Sequence, residues 1–89
     1  MKSEVNVKSK NIDQYLNSCR VKIGESIREI REKRGYNQEQ LAEIMNISRS
    51  TISKIEGGKF NFSMDYLSKF SWFLEFDFTV IDNKIKNTK

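Results

Sequence analysis

The stretch GYNQEQLAEIMNISRSTISKIEGGK, residues 35–59, contains two short helical patterns that follow one another closely. Asn37 opens the first pattern, and Gln40 stands three residues later, in the position that completes a capping box. Ser48 is a good N-cap for the second pattern, and only two residues separate it from the end of the first. Helices this short and this tightly joined cannot lie antiparallel, so the sequence predicts a steeply crossed helix-turn-helix.

The second of these helices has an unusual exposed face. It carries small hydroxyls and two cations, and its only acid, Glu56, comes in the last turn. The side chains on this face are Arg49, Ser50, Thr51, Ser53 and Lys54. An arginine fork matches the O6 and N7 acceptors of guanine, and short hydroxyls let a helix seat deeply in a groove. The alternative is an ordinary solvated face; the pattern as a whole favours contact with DNA.

Further helical patterns flank this stretch. Asn11 is a candidate N-cap for a short helix, a second helix then runs to Gly35, and Ser63 caps another that ends near Leu74. The positions expected to face the core are Ile23, Ile27, Ile30, Leu41, Ala42, Met45, Ile52, Ile55, Met64, Leu67, Phe70 and Leu74. The predicted fold class is therefore all-α, with four to five helices.

The chain changes its period after the last helix. Residues 74–80 alternate apolar and polar, which is typical of a β-strand. A lone strand leaves its backbone groups unpaired, and residues 5–7 are a short candidate partner. The same strand from a second copy is more economical, so we predict a dimerisation strand at residues 75–82 and a homodimer. The interface residues predicted are Trp72, Phe73, Phe76, Phe78 and Val80; the alternative for these aromatic residues is the core of the domain.

Composition narrows the function classes. The chain has 89 residues, 37% of them hydrophobic and 31% charged, which suits one small globular domain at residues 11–74 between a flexible segment 1–10 and a basic tail 83–89. With one cysteine and no histidine, we predict no disulfide, no metal site, no cofactor and no enzymatic activity. No apolar run approaches the roughly 18 residues of a membrane span, so a cytoplasmic protein is expected. The net charge of +4 is concentrated at the two ends and in residues 48–59, which suits a polyanion approached by one face.

Residues 35–59 resemble the Cro/C1-type (XRE-like) helix-turn-helix family, which includes phage repressors. The resemblance extends over residues 23–74. Its most specific positions are Gln38, Leu41, Ala42, Ser48, Ile52, Ile55, Glu56 and Gly58. It implies a lambda-repressor-like bundle whose recognition helix enters the major groove of double-stranded DNA, usually as a dimer on a palindromic site.

The resemblance also implies a role for each matching residue. Arg49, Ser50 and Lys54 match the positions that read bases. The positions that contact phosphate or backbone are Asn37, Gln38, Ser48, Thr51, Ser53, Gly58 and Lys59. Arg31 and Glu56 match a partly buried ion pair that ties the helix before the motif to the end of the recognition helix.

Three functions follow from these expectations. The first is a homodimeric, sequence-specific transcriptional regulator, in particular a repressor. The second is an antitoxin that binds a toxin protein and represses its own operon, because a strand after the last helix is similar to HipB-type antitoxins; HigA-type antitoxins and restriction-modification controllers are similar single-domain proteins. The third, more distant, is a pure protein-interaction module on the same fold.

Overall fold

The computed structural model describes residues 11–61 and 63–84, which form four α-helices. The helices are α1 (Ile12–Lys33), α2 (Gln38–Met45), α3 (Arg49–Glu56) and α4 (Met64–Leu74). The all-α fold class is thereby confirmed. The expectations for residues 1–10, and for the tail beyond residue 84, lie outside the described residues.

The first helix differs from the prediction of two separate helices. α1 is continuous over 22 residues, which corresponds to about 33 Å. Asn11 is its N-cap residue, but the Asn11 side chain makes no capping hydrogen bond. No proline interrupts residues 12–33, and the apolar stripe of the first turns continues in phase into the part that packs on the core. None of the described helices is both long and apolar enough to cross a bilayer.

The predicted caps of the central helix pair are confirmed. The Asn37 side chain accepts a hydrogen bond from the Gln40 backbone N–H at 2.7 Å, and the Gln40 side chain accepts one from the Asn37 N–H at 2.8 Å. Asn46 ends α2 in the left-handed conformation with φ of 57°, which asparagine tolerates better than most residues. The Ser48 hydroxyl accepts from the Thr51 N–H at 3.1 Å and so begins α3.

The core lies where α1, α3 and α4 meet around α2. Its buried apolar side chains are Ile27, Leu41, Ala42, Met45, Ile52, Ile55, Phe70 and Leu74. Ala42 is small enough for α2 and α3 to approach closely beside their turn. α1 packs against the end of α3 at Gly24, which is buried and presents only backbone to its neighbour.

The C-terminal segment departs from the strand prediction. Glu75 ends α4 with φ of 60°, and residues 76–82 form neither helix nor strand. A strand requires a ladder partner, and the described part of this single chain supplies none; residues 5–7 lie outside it. The Arg34 side chain holds the end of α4 by donating to the Leu74 carbonyl at 2.8 Å and the Glu75 carbonyl at 2.9 Å.

An apolar groove of about 800 Å³ lies between α1, α4 and this C-terminal segment. Its lining residues are Lys22, Ile23, Ser26, Ile27, Ile30, Met64, Leu67, Phe76, Asp77, Phe78, Thr79 and Val80. Phe76 packs against the core, whereas Phe78 is 42% exposed and Val80 almost fully exposed. The segment therefore extends the apolar surface of the bundle without closing it.

Candidate nucleic-acid interface

One side of α3 fastens the helix to the domain, and the other side is open to solvent. Ile52 and Ile55 are fully buried. On the opposite side, the structure exposes Arg49, Ser50, Ser53 and Lys54 and leaves Thr51 partly exposed. The buried apolar side of α3 thus fixes the helix to the domain, and the opposite side exposes short hydroxyls and long cations.

The charges on this side are free of competing acids from α3 itself. The ion pairs among the described residues involve Arg28, Arg31, Glu32 and Glu56, and none involves Arg49, Lys54 or Lys59. No acid stands in the first turn of α3. The three cations are therefore available to an anionic partner.

The hydroxyls at the start of α3 form a small cluster. The Ser48 Oγ lies 2.7 Å from the Thr51 Oγ1 and 3.2 Å from the Ser50 Oγ. The same Ser48 oxygen caps the helix, so these side chains are ordered by each other rather than by solvent. Each hydroxyl has both a donor and acceptor sites, and the cluster can therefore adapt to a phosphate or a base edge.

Glu56 faces away from this side and meets Arg31 of α1. Arg31 Nε donates to Glu56 Oε2 at 2.6 Å, and Arg31 Nη2 donates to Glu56 Oε1 at 3.0 Å, a bidentate arrangement. Arg31 Nη1 also donates to the Tyr36 carbonyl at 2.8 Å. The hydrogen bond with Glu56 raises the pKa of Arg31. The pair thus connects α1, the loop before α2 and the end of α3.

Gln38 belongs to the same network. Its amide nitrogen donates to Glu56 Oε1 at 3.0 Å, and the side chain is partly buried. One N–H of the Gln38 amide donates to Glu56, which leaves the second N–H for the phosphate contact that the resemblance implies. What remains exposed at this end of α2 is Asn37 and the first turn of the helix, whose free backbone N–H groups favour an anion.

The structure also brings an acid to this surface that the sequence did not reveal. A polar cleft of about 460 Å³ between the starts of α2 and α3 is lined by Arg31, Asn37, Gln38, Glu39 and Arg49. The position of Glu39 in the sequence indicates only an ordinary first-turn acid that complements the helix dipole. Its position beside Arg49 follows only from the angle at which the two helices cross.

The loop after α3 completes the candidate surface. Gly57 and Lys59 are exposed, whereas Gly58 is buried with φ of 73° and lies directly on α1. A side chain at Gly58 would meet both a left-handed backbone and the body of Val21. Gly58 is therefore a structural residue at this position, and Lys59 is the group that can reach a ligand.

The residues predicted for the dimer interface fall into two sets. Phe73 and Phe76 are partly buried against the core of their own chain. Trp72 is 79% exposed, Phe78 42% and Val80 97%. Met64 was predicted to face the core, but it lies in the first turn of α4 and is 66% exposed. Ile81, which directly follows the predicted interface residues in the sequence, is 63% exposed.

Two steeply joined, capped helices, with an exposed cationic face on the second, define a helix-turn-helix DNA-binding protein. The sequence model of the helix-turn-helix family matches residues 27–81, which is more than half of the chain. The protein belongs to the Cro/C1-type helix-turn-helix family, whose members are DNA-binding transcriptional regulators.

Individual relatives are similar over the same region. The competence pilus inhibition repressor of Acinetobacter baylyi is 38% identical over 50 residues, which are 53% of this chain and 46% of that protein. A candidate HTH-type transcriptional regulatory protein of Pyrococcus furiosus is 43% identical over 42 residues, 47% of this chain but 13% of its relative. The chain therefore spans less than half the length of either relative.

A solved structure matches over a larger share. It is the crystal structure of the restriction-modification controller protein C.AhdI from Aeromonas hydrophila, with a TM-score of 0.63 and 32% sequence identity. The match covers 67% of this chain and 91% of the controller protein. The four-helix arrangement is thus similar to that of the controller protein.

Proposed function

We propose that the protein is a sequence-specific transcriptional repressor that acts as a homodimer on a palindromic operator. The observation that carries this proposal is the exposed face of α3, where Arg49, Ser50 and Lys54 stand free of ion pairs among the described residues. The name of the Acinetobacter relative as a repressor supports it. Two α3 helices in successive major grooves, about 34 Å apart, would occlude a promoter.

Within this proposal, some residues contact bases and others contact the phosphate backbone. Arg49 and Lys54 have the reach and the donors to read guanine edges, while Ser50 and Ser53 allow close approach. Asn37, the start of α2 and Lys59 lie at the two ends of the helix-turn-helix, where the phosphate strands that border the groove would pass. Gln38 contacts Glu56 through one amide N–H, and its second N–H can donate to the phosphate that the family resemblance implies.

The test of base reading is selection of bound duplexes from a random library, followed by affinity measurements on Arg49→Ala. We expect a palindromic consensus and a loss of roughly 10- to 100-fold at the consensus site, because a good arginine–base contact contributes about 1–3 kcal/mol of discrimination. Specificity at one position of each half-site should relax.

Arg28→Ala is the matched control for Arg49→Ala. It removes the same charge from an exposed position of α1, where Arg28 pairs with Glu32 at 3.3 Å, and should leave the consensus unchanged. Equal binding by Arg49→Ala and the original protein, or binding without a consensus, would contradict the base-reading role.

The proposed homodimer rests on the apolar surface that α4 and the C-terminal segment leave exposed. Trp72, at 79%, and Val80, at 97%, are large apolar side chains left exposed to solvent, and such side chains are candidates for a protein–protein interface. Residues 76–82 alternate and form no strand alone, so pairing with the same segment of a second copy would satisfy their backbone groups.

We expect equilibrium sedimentation at micromolar concentration to give a dimer, and Trp72→Glu to shift it to monomer. Ile44→Glu is the control, because Ile44 is 44% exposed on α2 and is not among the predicted interface residues. A monomeric original protein would contradict the dimer. A stable complex with a second, different chain in its place would support the antitoxin alternative.

A further inference from the structure

A second polar cleft lies beyond the helix-turn-helix, between the first half of α1 and the loop that follows α3. Its volume is about 490 Å³. The residues that line it are Asn17, Arg20, Val21, Gly57, Gly58, Lys59 and Asn61. The set contains two cations and two amides and no acid, so the cleft has the composition of an anion site.

The walls of this cleft are held by direct backbone packing. A Cβ at Gly58 would lie 2.8 Å from Val21 Cγ2 and 3.0 Å from its Cα, so the loop rests on α1 without a side chain between them. Gly24 packs in the same way on the last turn of α3. Arg20 precedes Gly24 by one helical turn and shares its face of α1. The close contacts at Gly58 and Gly24 therefore hold this part of α1, and with it Arg20, beside the loop.

We propose that this cleft binds a backbone phosphate of the DNA, with Arg20 and Lys59 as its cations and Asn17 and Asn61 as hydrogen-bond donors. The proposal rests on the proposed function, because a phosphate reaches the cleft only when α3 lies in the major groove. The loop that follows such a helix approaches one of the two strands that border the groove. The first half of α1 then extends the footprint along that strand.

Arg20 and Lys59 are suited to this role because no acid neutralises them. Neither takes part in an ion pair with any described residue. Arg20 is partly buried and Lys59 is exposed, so one cation is pre-positioned and the other can close over the ligand. The competing role for Arg20 is structural: a cation near the end of α3 could stabilise the helix by offsetting its dipole.

The salt dependence of binding distinguishes the two roles. Each phosphate neutralised contributes about 0.9 to the slope of log K against log salt concentration. The affinity of the selected duplex would be measured between about 50 and 200 mM salt for the original protein, Arg20→Ala, Lys59→Ala and Arg28→Ala. We expect the slope to fall in each of the first two variants, by at most about 0.9 because the cleft neutralises a single phosphate. It should stay unchanged for Arg28→Ala, with the same consensus throughout.

Two further measurements complete the test. Arg20→Lys keeps the charge and should restore most of the slope, and the melting temperature of Arg20→Ala should equal that of the original protein. An Arg20→Ala slope equal to that of Arg28→Ala overturns the phosphate site. A lower melting temperature with an unchanged slope overturns it in favour of the helix-dipole role.

The outcome also separates this inference from the proposed function. If Arg49→Ala loses the consensus while Arg20→Ala keeps the full salt slope, the repressor proposal stands and the phosphate site falls. If the original protein binds no duplex at any of these salt concentrations, both fall together.

Discussion

Gly24→Ala is expected to destabilise the protein by about 3 kcal/mol, the upper end of what overpacking a core costs. The added Cβ would lie 2.3 Å from the Ile55 carbonyl oxygen and 2.9 Å from that of Glu56. Both atoms belong to the backbone at the end of α3, so no side-chain rotation can relieve the contact. The intrinsic helix propensity of alanine favours the substitution by only about 1 kcal/mol, so the steric cost decides the sign.

The measurement is urea denaturation followed by circular dichroism, with Glu25→Ala as the control. Glu25 is the neighbouring residue of α1 and is exposed, so its replacement should change the free energy of unfolding by less than about 0.5 kcal/mol. A Gly24→Ala protein as stable as the original would show that α1 does not pack on α3 as described.

The parts of the fold that the sequence predicted depend on local chemistry. The caps at Asn37 and Ser48 need only a side-chain oxygen and a backbone N–H three residues later, and both are visible in the residue pattern. The buried faces of α2 and α3 likewise follow from helical spacing. The steep crossing of the pair then follows from the shortness of the connection between them.

The features that the sequence did not predict depend on contacts between distant residues. In the sequence, Gln38 is a first-turn residue of α2 with no evident partner. Its partner Glu56 is 18 positions away, and the two side chains meet only in the folded domain, where Arg31 of α1 also contacts Glu56. The cleft at Arg20 depends on the contact between the loop and α1, and the hydrophobic periodicity of the sequence does not indicate this contact. The continuous α1 differs from the prediction of two helices because no residue between Cys19 and Ile23 ends the helix.

The C-terminal segment illustrates a third limit. Alternation of apolar and polar residues expresses a preference for a half-buried strand, but a strand forms only where a partner supplies the ladder. Within one chain, residues 76–82 find no such partner among the described residues and remain irregular. The strand prediction therefore needs a partner from outside the described residues, which the proposed dimer would supply.

Glu56→Ala is expected to have the largest effect on stability, a loss of about 3–5 kcal/mol. The Arg31 side chain is 8% exposed and that of Glu56 5%, so removing the carboxylate leaves a buried guanidinium without its counter-charge. The amide donor of Gln38 loses its acceptor at the same time. The test is to measure the free energy of unfolding of Glu56→Ala and to compare it with that of Glu32→Ala.

Glu32→Ala removes the same charge from a weaker partner of Arg31. The Glu32 Oε2 lies 3.9 Å from Arg31 Nη2, and the Glu32 side chain is 55% exposed, so solvent screens the interaction. We expect a change of less than about 1 kcal/mol for this control. Equal effects of the two substitutions would contradict the importance of burial for the Arg31–Glu56 pair.

The contribution of Arg31 to stability does not change with pH near neutrality. The hydrogen bond with Glu56 raises the pKa of Arg31. A raised pKa on a cation adds stability that is fully present below the unfolded-state pKa and is lost only as the pH rises through the folded-state value. Since arginine titrates far above neutral pH, the contribution of Arg31 stays constant across the conditions of a DNA-binding assay.

The double substitution Arg31→Met/Glu56→Leu separates net stability from geometry. Replacing both partners by apolar side chains removes the unpaired charge, so most of the loss seen in Glu56→Ala should be recovered. The Tyr36 carbonyl and the Gln38 amide nevertheless lose their partners, and the start of α2 is no longer tied to the end of α3. We therefore expect a folded protein with weakened DNA binding. Full affinity in this double variant would mean that the pair contributes only to folding and does not position the DNA-binding surface.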